Sequence, residues 1–209
     1  AFIDRGYSMA DITTDSAGNR YGVWVNGFTA DGGMYYSEIP ATPSIVSEQL
    51  INSSVGAFFD PPKITSAPNG DVWIFATAIN GSEKDLIAYR KLSSQTALSS
   101  AITLRAQSGV EEFAVDGEID SQGRVHLSWI EGSSSRSVYY GLFDPGSSTL
   151  IESTEISQAT SADYQRTTVA LDSADNPYIF FDSLGGSSGD VYFVAPQLES
   201  AANHWNVYQ

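Results

Sequence analysis

Short polar runs ending in Gly or Asp alternate with short apolar runs along the whole chain, and the alternation repeats four times. Gly18, Gly70, Gly123 and Asp175 close the polar runs at spacings of 52, 53 and 52. Tyr21, Trp73, His126 and Tyr178 follow three residues later, and Met34, Leu86, Val138 and Val191 keep the same register. A period of this size, with several short strands per unit, predicts a radial β-repeat whose units bury their faces against one another. The expected fold class is all-β: a β-propeller of four blades, about 52 residues per four-stranded blade. The blades are expected near 7–54, 58–106, 112–157 and 164–209, within a single domain spanning 1–209.

Each unit predicts the same elements. A first strand is expected over Met9–Thr14, Pro62–Ser66, Phe113–Ile119 and Arg166–Leu171. A tight turn follows, written DSAGN from Asp15, DSQGR from Asp120 and DSADN from Asp172, with APNGD from Ala67 in the second unit. Asp and Asn side chains bond nearby backbone and Gly accepts positive φ, so these sequences form hairpin turns. The second strand is the most apolar: Tyr21–Val25, Val72–Ala76, Val125–Ile130 and Tyr178–Phe181. Such runs suit strands covered on both faces. Third strands are expected at Met34–Tyr36, Leu86–Tyr89, Val138–Leu142 and Val191–Val194, and weaker outer strands at Ser44–Ile51, Ala101–Arg105, Thr149–Ile156 and His204–Tyr208. No helical period is sustained. Polar Gly/Ser-rich stretches between second and third strands read as solvated loops.

Composition narrows the partners. The 209 residues carry 25 acidic and 10 basic side chains, a formal net charge of -15, so the summed field disfavours nucleic acid and anionic lipid. Apolar runs fall far short of a bilayer span, which argues against membrane insertion. There is no cysteine, which excludes disulfides and thiolate metal sites. The chain opens at Ala1 without a charged or apolar leader, as a mature secreted protein or an excised fragment would. An extracellular or cell-surface location is the resulting expectation.

Units three and four read as D-S-x-G-x-x-H/Y followed by an apolar strand and then Val138-Tyr139-Tyr140 or Val191-Tyr192-Phe193. This pattern resembles a repeat of bacterial extracellular β-propellers, with sialidase-like and lectin-like propellers as wider relatives. The resemblance implies the propeller fold and leaves the function open, since such folds host enzymes, lectins and scaffolds. It departs from the sialidase Asp-box in the order of Asp and Ser and in lacking an invariant Trp. No sialidase-type arginine triad is assignable among the arginines of the chain.

Innermost strands line the axis of a propeller, so their starts are where chemistry would collect. Asp11 and Asp116 occupy equivalent repeat positions there, with Lys63 and Thr168 as counterparts in the other two units. Asp60, Glu118 and Arg166 lie close in sequence. Two carboxylates facing one another suit the acid and base or nucleophile of glycoside hydrolysis, whereas balanced rim charges would be solvated scenery. Asp15, Asp120 and Asp172 read as turn formers, one carboxylate each being too few oxygens for calcium. His126 fills the slot of Tyr21, Trp73 and Tyr178 and reads as a packing residue with a polar tip. Aromatics outside the repeat register, Phe28, Phe58, Phe59 and Trp205, are candidates for a sugar-stacking platform, with Lys63 beside them. Neither a metal site nor a cofactor is expected.

Three functions follow. The favoured one is a non-enzymatic binding module that takes a glycan or protein ligand on the loop-bearing face. The alternatives are a glycosidase-like enzyme using channel carboxylates, and a structural unit of a larger surface or virion assembly. Four units also leave open a homodimer or further blades of a parent chain.

Overall fold

The computed structural model describes residues 8–26, 33–39, 49–52, 60–80, 83–133, 135–157, 164–183, 190–196 and 205–208. Strands β1 (Ser8–Thr14), β2 (Arg20–Asn26), β3 (Gly33–Ile39) and β4 (Gln49–Asn52) form the first sheet. The second holds β5 (Lys63–Ser66), β6 (Val72–Asn80), β7 (Glu83–Lys91) and β8 (Ile102–Arg105). The third holds β9 (Glu112–Ile119), β10 (Val125–Glu131), β11 (Ser137–Asp144) and β12 (Thr149–Glu155). The fourth holds β13 (Tyr164–Leu171), β14 (Pro177–Ser183), β15 (Asp190–Pro196) and β16 (Trp205–Tyr208). All four are antiparallel meanders in chain order, the blades of a β-propeller fold, and the described residues contain no helix.

The turns follow from the sequence as expected. In the first, Asp15 Oδ1 accepts the N–H groups of Ala17 at 3.0 Å and Asn19 at 2.8 Å. Asp120 Oδ1 does the same for Gln122 and Arg124, and Asp172 Oδ1 for Ala174 and Asn176. The landmark residues Gly18, Gly70, Gly123 and Asp175 all sit in the left-handed region, at φ of 83°, 83°, 81° and 63°. That shared conformation is the physical origin of the repeat's sharpest mark. The strands expected at Val72–Ala76 and Leu86–Tyr89 are longer in the structure, the ladder running as far as Asn80 opposite Glu83.

The chain divides into two compact units, Ala1–Ala106 and Gln107–Gln209, each made of two sheets. In the first unit Val23, Val25, Met34 and Tyr36 pack against Ile64, Ile74, Ala76, Ile87 and Tyr89. In the second, Ile130, Val138 and Tyr140 pack against Val169, Ile179, Phe181 and Val194. The alternation of side chains along each strand sends one set of residues into this core and the next set to the opposite face of the sheet.

Candidate functional site

The innermost strands carry the charged residues singled out by the repeat, and Asp11 and Asp116 do the same thing in their two units. Asp11 Oδ2 accepts the main-chain N–H of Ile64 on the neighbouring inner strand at 2.9 Å, with Lys63 Nζ at 3.5 Å. Asp116 Oδ2 accepts the N–H of Val169 at 2.9 Å and Thr168 Oγ1 at 2.6 Å. The first strand of each sheet has no ladder partner on its free edge, so its outward N–H groups need acceptors, and a carboxylate from the preceding sheet of the unit supplies one. Each clip therefore ties two sheets of a unit together.

The bonds of Asp116 lead to Thr168, two residues beyond Arg166 on β13. In the fourth sheet the register shifts between Tyr164 and Thr167, so that Gln165 and Arg166 together oppose Asp182. A bulge of this kind releases a main-chain donor from the ladder and turns the side chains next to it. The freed N–H of Arg166 goes to Asp182 Oδ1 at 2.8 Å. Two polar pairs, Asp116 with Thr168 and Arg166 with Asp182, thus stand two residues apart along β13. Thr168 and Arg166 are exposed, and Asp116 and Asp182 are half-buried.

Arg166, Thr168 and Asp182 are also the polar rim of a cleft of about 290 Å³ whose remaining lining is Thr167, Phe180, Phe181 and Val191. The cleft opens beside the end of β14 and the beginning of β15. Rim and floor differ sharply in chemistry. The rim offers a guanidinium, a hydroxyl and a carboxylate; apart from Thr167 the rest of the lining is apolar.

The other candidates are placed elsewhere. Asp60 accepts Lys84 Nζ at 2.8 Å and Thr77 Oγ1 at 3.1 Å, a local ion pair of the second sheet. Glu118 is exposed on β9 opposite His126. Phe28, Phe58 and Phe59 lie outside the described residues; Trp205 pairs with Pro196 in the outermost ladder, its side chain not among those described. Asp182 escaped the sequence reading because it terminates an apolar strand rather than opening one, and only the bulge shows what it holds.

A second carboxylate pair was also missed. Glu112 and Glu131 stand directly opposite in the β9–β10 ladder, and both are buried. Glu131 Oε1 accepts Trp129 Nε1 at 2.8 Å, and Trp129 stacks on Tyr139 with centroids 5.7 Å apart. The signal available was register: once Ile130 opposes Phe113, Glu112 must meet Glu131.

His126 is buried, as a packing residue would be. Its Nδ1 lies 2.8 Å from Tyr140 Oη and its Nε2 3.5 Å from Asp120 Oδ2. Burial drives its pKa below the ordinary imidazole value, against the opposing pull of Asp120. Burial alone would raise Asp120, yet the main-chain and side-chain bonds from Arg124 hold it below the usual carboxylate range.

No family model matches the chain, and no curated protein resembles it in sequence. Solved structures do share the fold. A polysaccharide lyase of family PL25, an ulvan lyase bound to -[GlcA(1-4)Rha3S]-, superposes with a TM-score of 0.69 at 10% identity, covering 95% of this chain and 56% of that one. The GH93 α-L-arabinofuranosidase of Fusarium graminearum gives 0.66 at 11% identity, covering 90% and 61%. An endo-arabinase from Bacteroides thetaiotaomicron gives 0.61 at 10% identity, covering 96% and 78%. The chain thus spans little more than half the length of the lyase it resembles. These likenesses establish the propeller fold. They also correct the expectation of a non-enzymatic binding module, since the three structures named are a polysaccharide lyase, an arabinofuranosidase and an endo-arabinase.

Proposed function

We propose that this chain belongs to a glycan-cleaving enzyme of the glycosidase type. Asp116 and Asp182 are its two carboxylates, and Arg166 and Thr168 orient the sugar. The observation that supports this reading is the polar rim itself, where the Asp182 carboxylate, the Arg166 guanidinium and the Thr168 hydroxyl line one cleft and Thr168 is bonded in turn to the carboxylate of Asp116. Glycoside hydrolysis needs one carboxyl group to protonate the leaving oxygen and a second to act as base or nucleophile. The guanidinium of Arg166 has no hydrogen-bond or ion-pair partner among the described residues, which leaves its donors for a substrate oxygen. Asp11 and Asp60, whose carboxylates serve Ile64, Lys63, Lys84 and Thr77, are structural in this reading. An extracellular glycan is the corresponding ligand, and a single propeller domain, closed by a homodimer or by further blades, is the corresponding assembly.

The experiment is a panel of neutral and acidic polysaccharides incubated with the purified chain and assayed for new chain ends. Turnover is expected on at least one glycan, falling by roughly 10²–10⁴ in Asp116→Asn and in Asp182→Asn, the range of a lost acid or base. Asp11→Asn, which alters the equivalent clip away from the rim, is expected to retain the rate. Turnover unchanged in both rim variants removes the site assignment, and glycan binding without bond cleavage across the panel removes the enzymatic reading.

A further inference from the structure

The cleft belongs to the more acidic half of the chain. Residues 107–209 hold 15 acidic side chains against three basic ones, a formal excess of twelve negative charges, whereas residues 1–106 hold 10 against seven. Two of the three basic groups of this second unit are engaged within it. Arg124 Nε lies 2.7 Å from Asp120 Oδ2, and Arg136 sits over the Phe113 ring at 4.5 Å while donating to the carbonyl of Tyr164 at 3.2 Å. The third is Arg166, whose guanidinium lines the cleft without a partner among the described residues. Asp182 lines the same cleft, and Asp116 stands behind Thr168. A receptor for a sugar carboxylate or sulfate needs a cation that the protein's own acids do not already balance. Here the ionised member of a glycosidase carboxyl pair balances the one guanidinium, and the field of the remaining acidic side chains opposes the approach of a polyanionic chain.

We propose that this cleft takes a stretch of polysaccharide free of carboxylate and sulfate groups, and that acidic glycans are turned away. The proposal rests on the glycan-cleaving reading and narrows it to a substrate class. Arg166 then acts as a hydrogen-bond donor to hydroxyl or ring oxygens and not as an anion receptor. Thr168, whose own proton goes to Asp116, offers its oxygen lone pairs to a sugar hydroxyl. Phe180, 41% exposed in the lining, gives the C–H face of a sugar ring an apolar surface. These contacts read the sugar itself, whereas selection against charge is made by the field, which reaches about 30 Å at 0.01 M salt and about 3 Å at 1 M. Rejection of acidic chains is therefore salt-dependent, and recognition of uncharged ones is not.

The test separates charge from bulk. Galactan, xylan, mannan and a β-glucan are each prepared as a carboxymethyl ether and as a hydroxyethyl ether of matched substitution and coupled to beads. Binding of the chain and release of new chain ends are measured at about 0.01 M and about 1 M salt. At the lower salt the hydroxyethyl form of at least one polymer is expected to be bound and cut about ten-fold or more better than its carboxymethyl form, and the gap should close at the higher salt. Arg166→Gln should weaken binding of the hydroxyethyl form by about ten-fold, through the loss of a charged donor. A carboxymethyl form bound or cut as well as its uncharged partner at low salt overturns the proposal. So does a loss in Arg166→Gln confined to the carboxymethyl form, which would make the guanidinium an anion receptor. Preferential binding of the hydroxyethyl forms without bond cleavage removes the enzymatic reading and supports the selectivity, whereas binding of neither form of any of the four polymers overturns the selectivity as well.

Discussion

Thr168 Oγ1 donates to Asp116 Oδ2 at 2.6 Å, and the N–H of the next residue, Val169, reaches the same oxygen at 2.9 Å. One carboxylate oxygen thus closes the seam between the third and fourth sheets and fixes the residue that leads to the cleft rim. The equivalent oxygen of Asp11 closes the seam of the other unit through Ile64. Repetition has duplicated the structural half of this arrangement, and the bulge at Arg166 adds the rest.

Loss of the clip should destabilise both units and impair only one function. Asp11→Ala and Asp116→Ala each leave a partly buried N–H without its acceptor, at a cost of about 1–2 kcal/mol. Urea unfolding is expected to show losses of similar size for the two variants, while only Asp116→Ala also abolishes glycan turnover. A loss of turnover in Asp11→Ala equal to that in Asp116→Ala would show that the carboxylate at the rim acts through stability alone.

Glycine positions of the third sheet set how closely its strands and side chains pack. A Cβ at Gly141 would lie 2.8 Å from both Leu150 Cδ1 and Trp129 Cζ3 and 2.9 Å from the carbonyl oxygen of Glu152. Backbone and a buried indole cannot yield cheaply, so Gly141→Ala should cost about 1–3 kcal/mol. At Gly22 the nearest atom would be Ile39 Cδ1, the tip of a flexible side chain at 3.2 Å. Gly22→Ala should accordingly be much milder in thermal unfolding, and equal losses at the two sites would contradict this account of the packing.

The left-handed turn at Gly123 should be equally discriminating. Its φ of 81° is unfavourable for any side chain, whereas the fourth repeat tolerates Asp175 at 63° because its carboxylate accepts Ser121 N at 3.1 Å and Ser121 Oγ at 2.5 Å. Gly123→Ala is expected to lose about 1 kcal/mol. Asp175→Gly relieves its own φ but removes both bonds, so its thermal midpoint should fall as well. A rise in that midpoint would mean the carboxylate contributes nothing to the turn.

Much of the fold was legible because its marks are local. Gly18, Gly70, Gly123 and Asp175 show their φ in their identity, and the Asp15, Asp120 and Asp172 turns are closed by atoms within four residues of one another. The candidate site was legible only in part. Asp116 and Arg166 were visible as inner-strand charges, but Asp116 is engaged by Thr168 and Arg166 by a bulge opposite Asp182, and a bulge shifts register without leaving a composition signal. Glu112 and Glu131 were hidden for the same reason, since only the exact pairing of β9 with β10 makes them neighbours. The choice between binder and enzyme was not legible at all, because repeat period and acidity are shared by both.

The His126 slot yields the last prediction. In the first repeat the same position is Tyr21, whose hydroxyl donates to Asp15 Oδ2 at 3.0 Å and whose own pKa is pushed up to about 12, by burial first and then by Asp15. His126 reaches Asp120 only at 3.5 Å, and burial depresses its pKa below 6.5. A histidine depressed in the folded state takes up its proton more readily when unfolded. Its contribution to stability is therefore intact above the unfolded value of about 6.5 and is lost progressively as the pH falls below it, until the folded pKa is reached. Asp120 acts in a lower window: depressed in the folded state, it supports stability above the unfolded carboxylate value of about 3.9 and loses that support as pH falls through its folded pKa. His126→Tyr restores the residue of the first and fourth repeats and removes the titration. Thermal midpoints measured from pH 7.5 to 5.0 should decline for the wild-type chain below about 6.5 and stay flat for His126→Tyr until the carboxylate window opens. Parallel profiles for the two proteins would show that the buried imidazole is not the group that titrates.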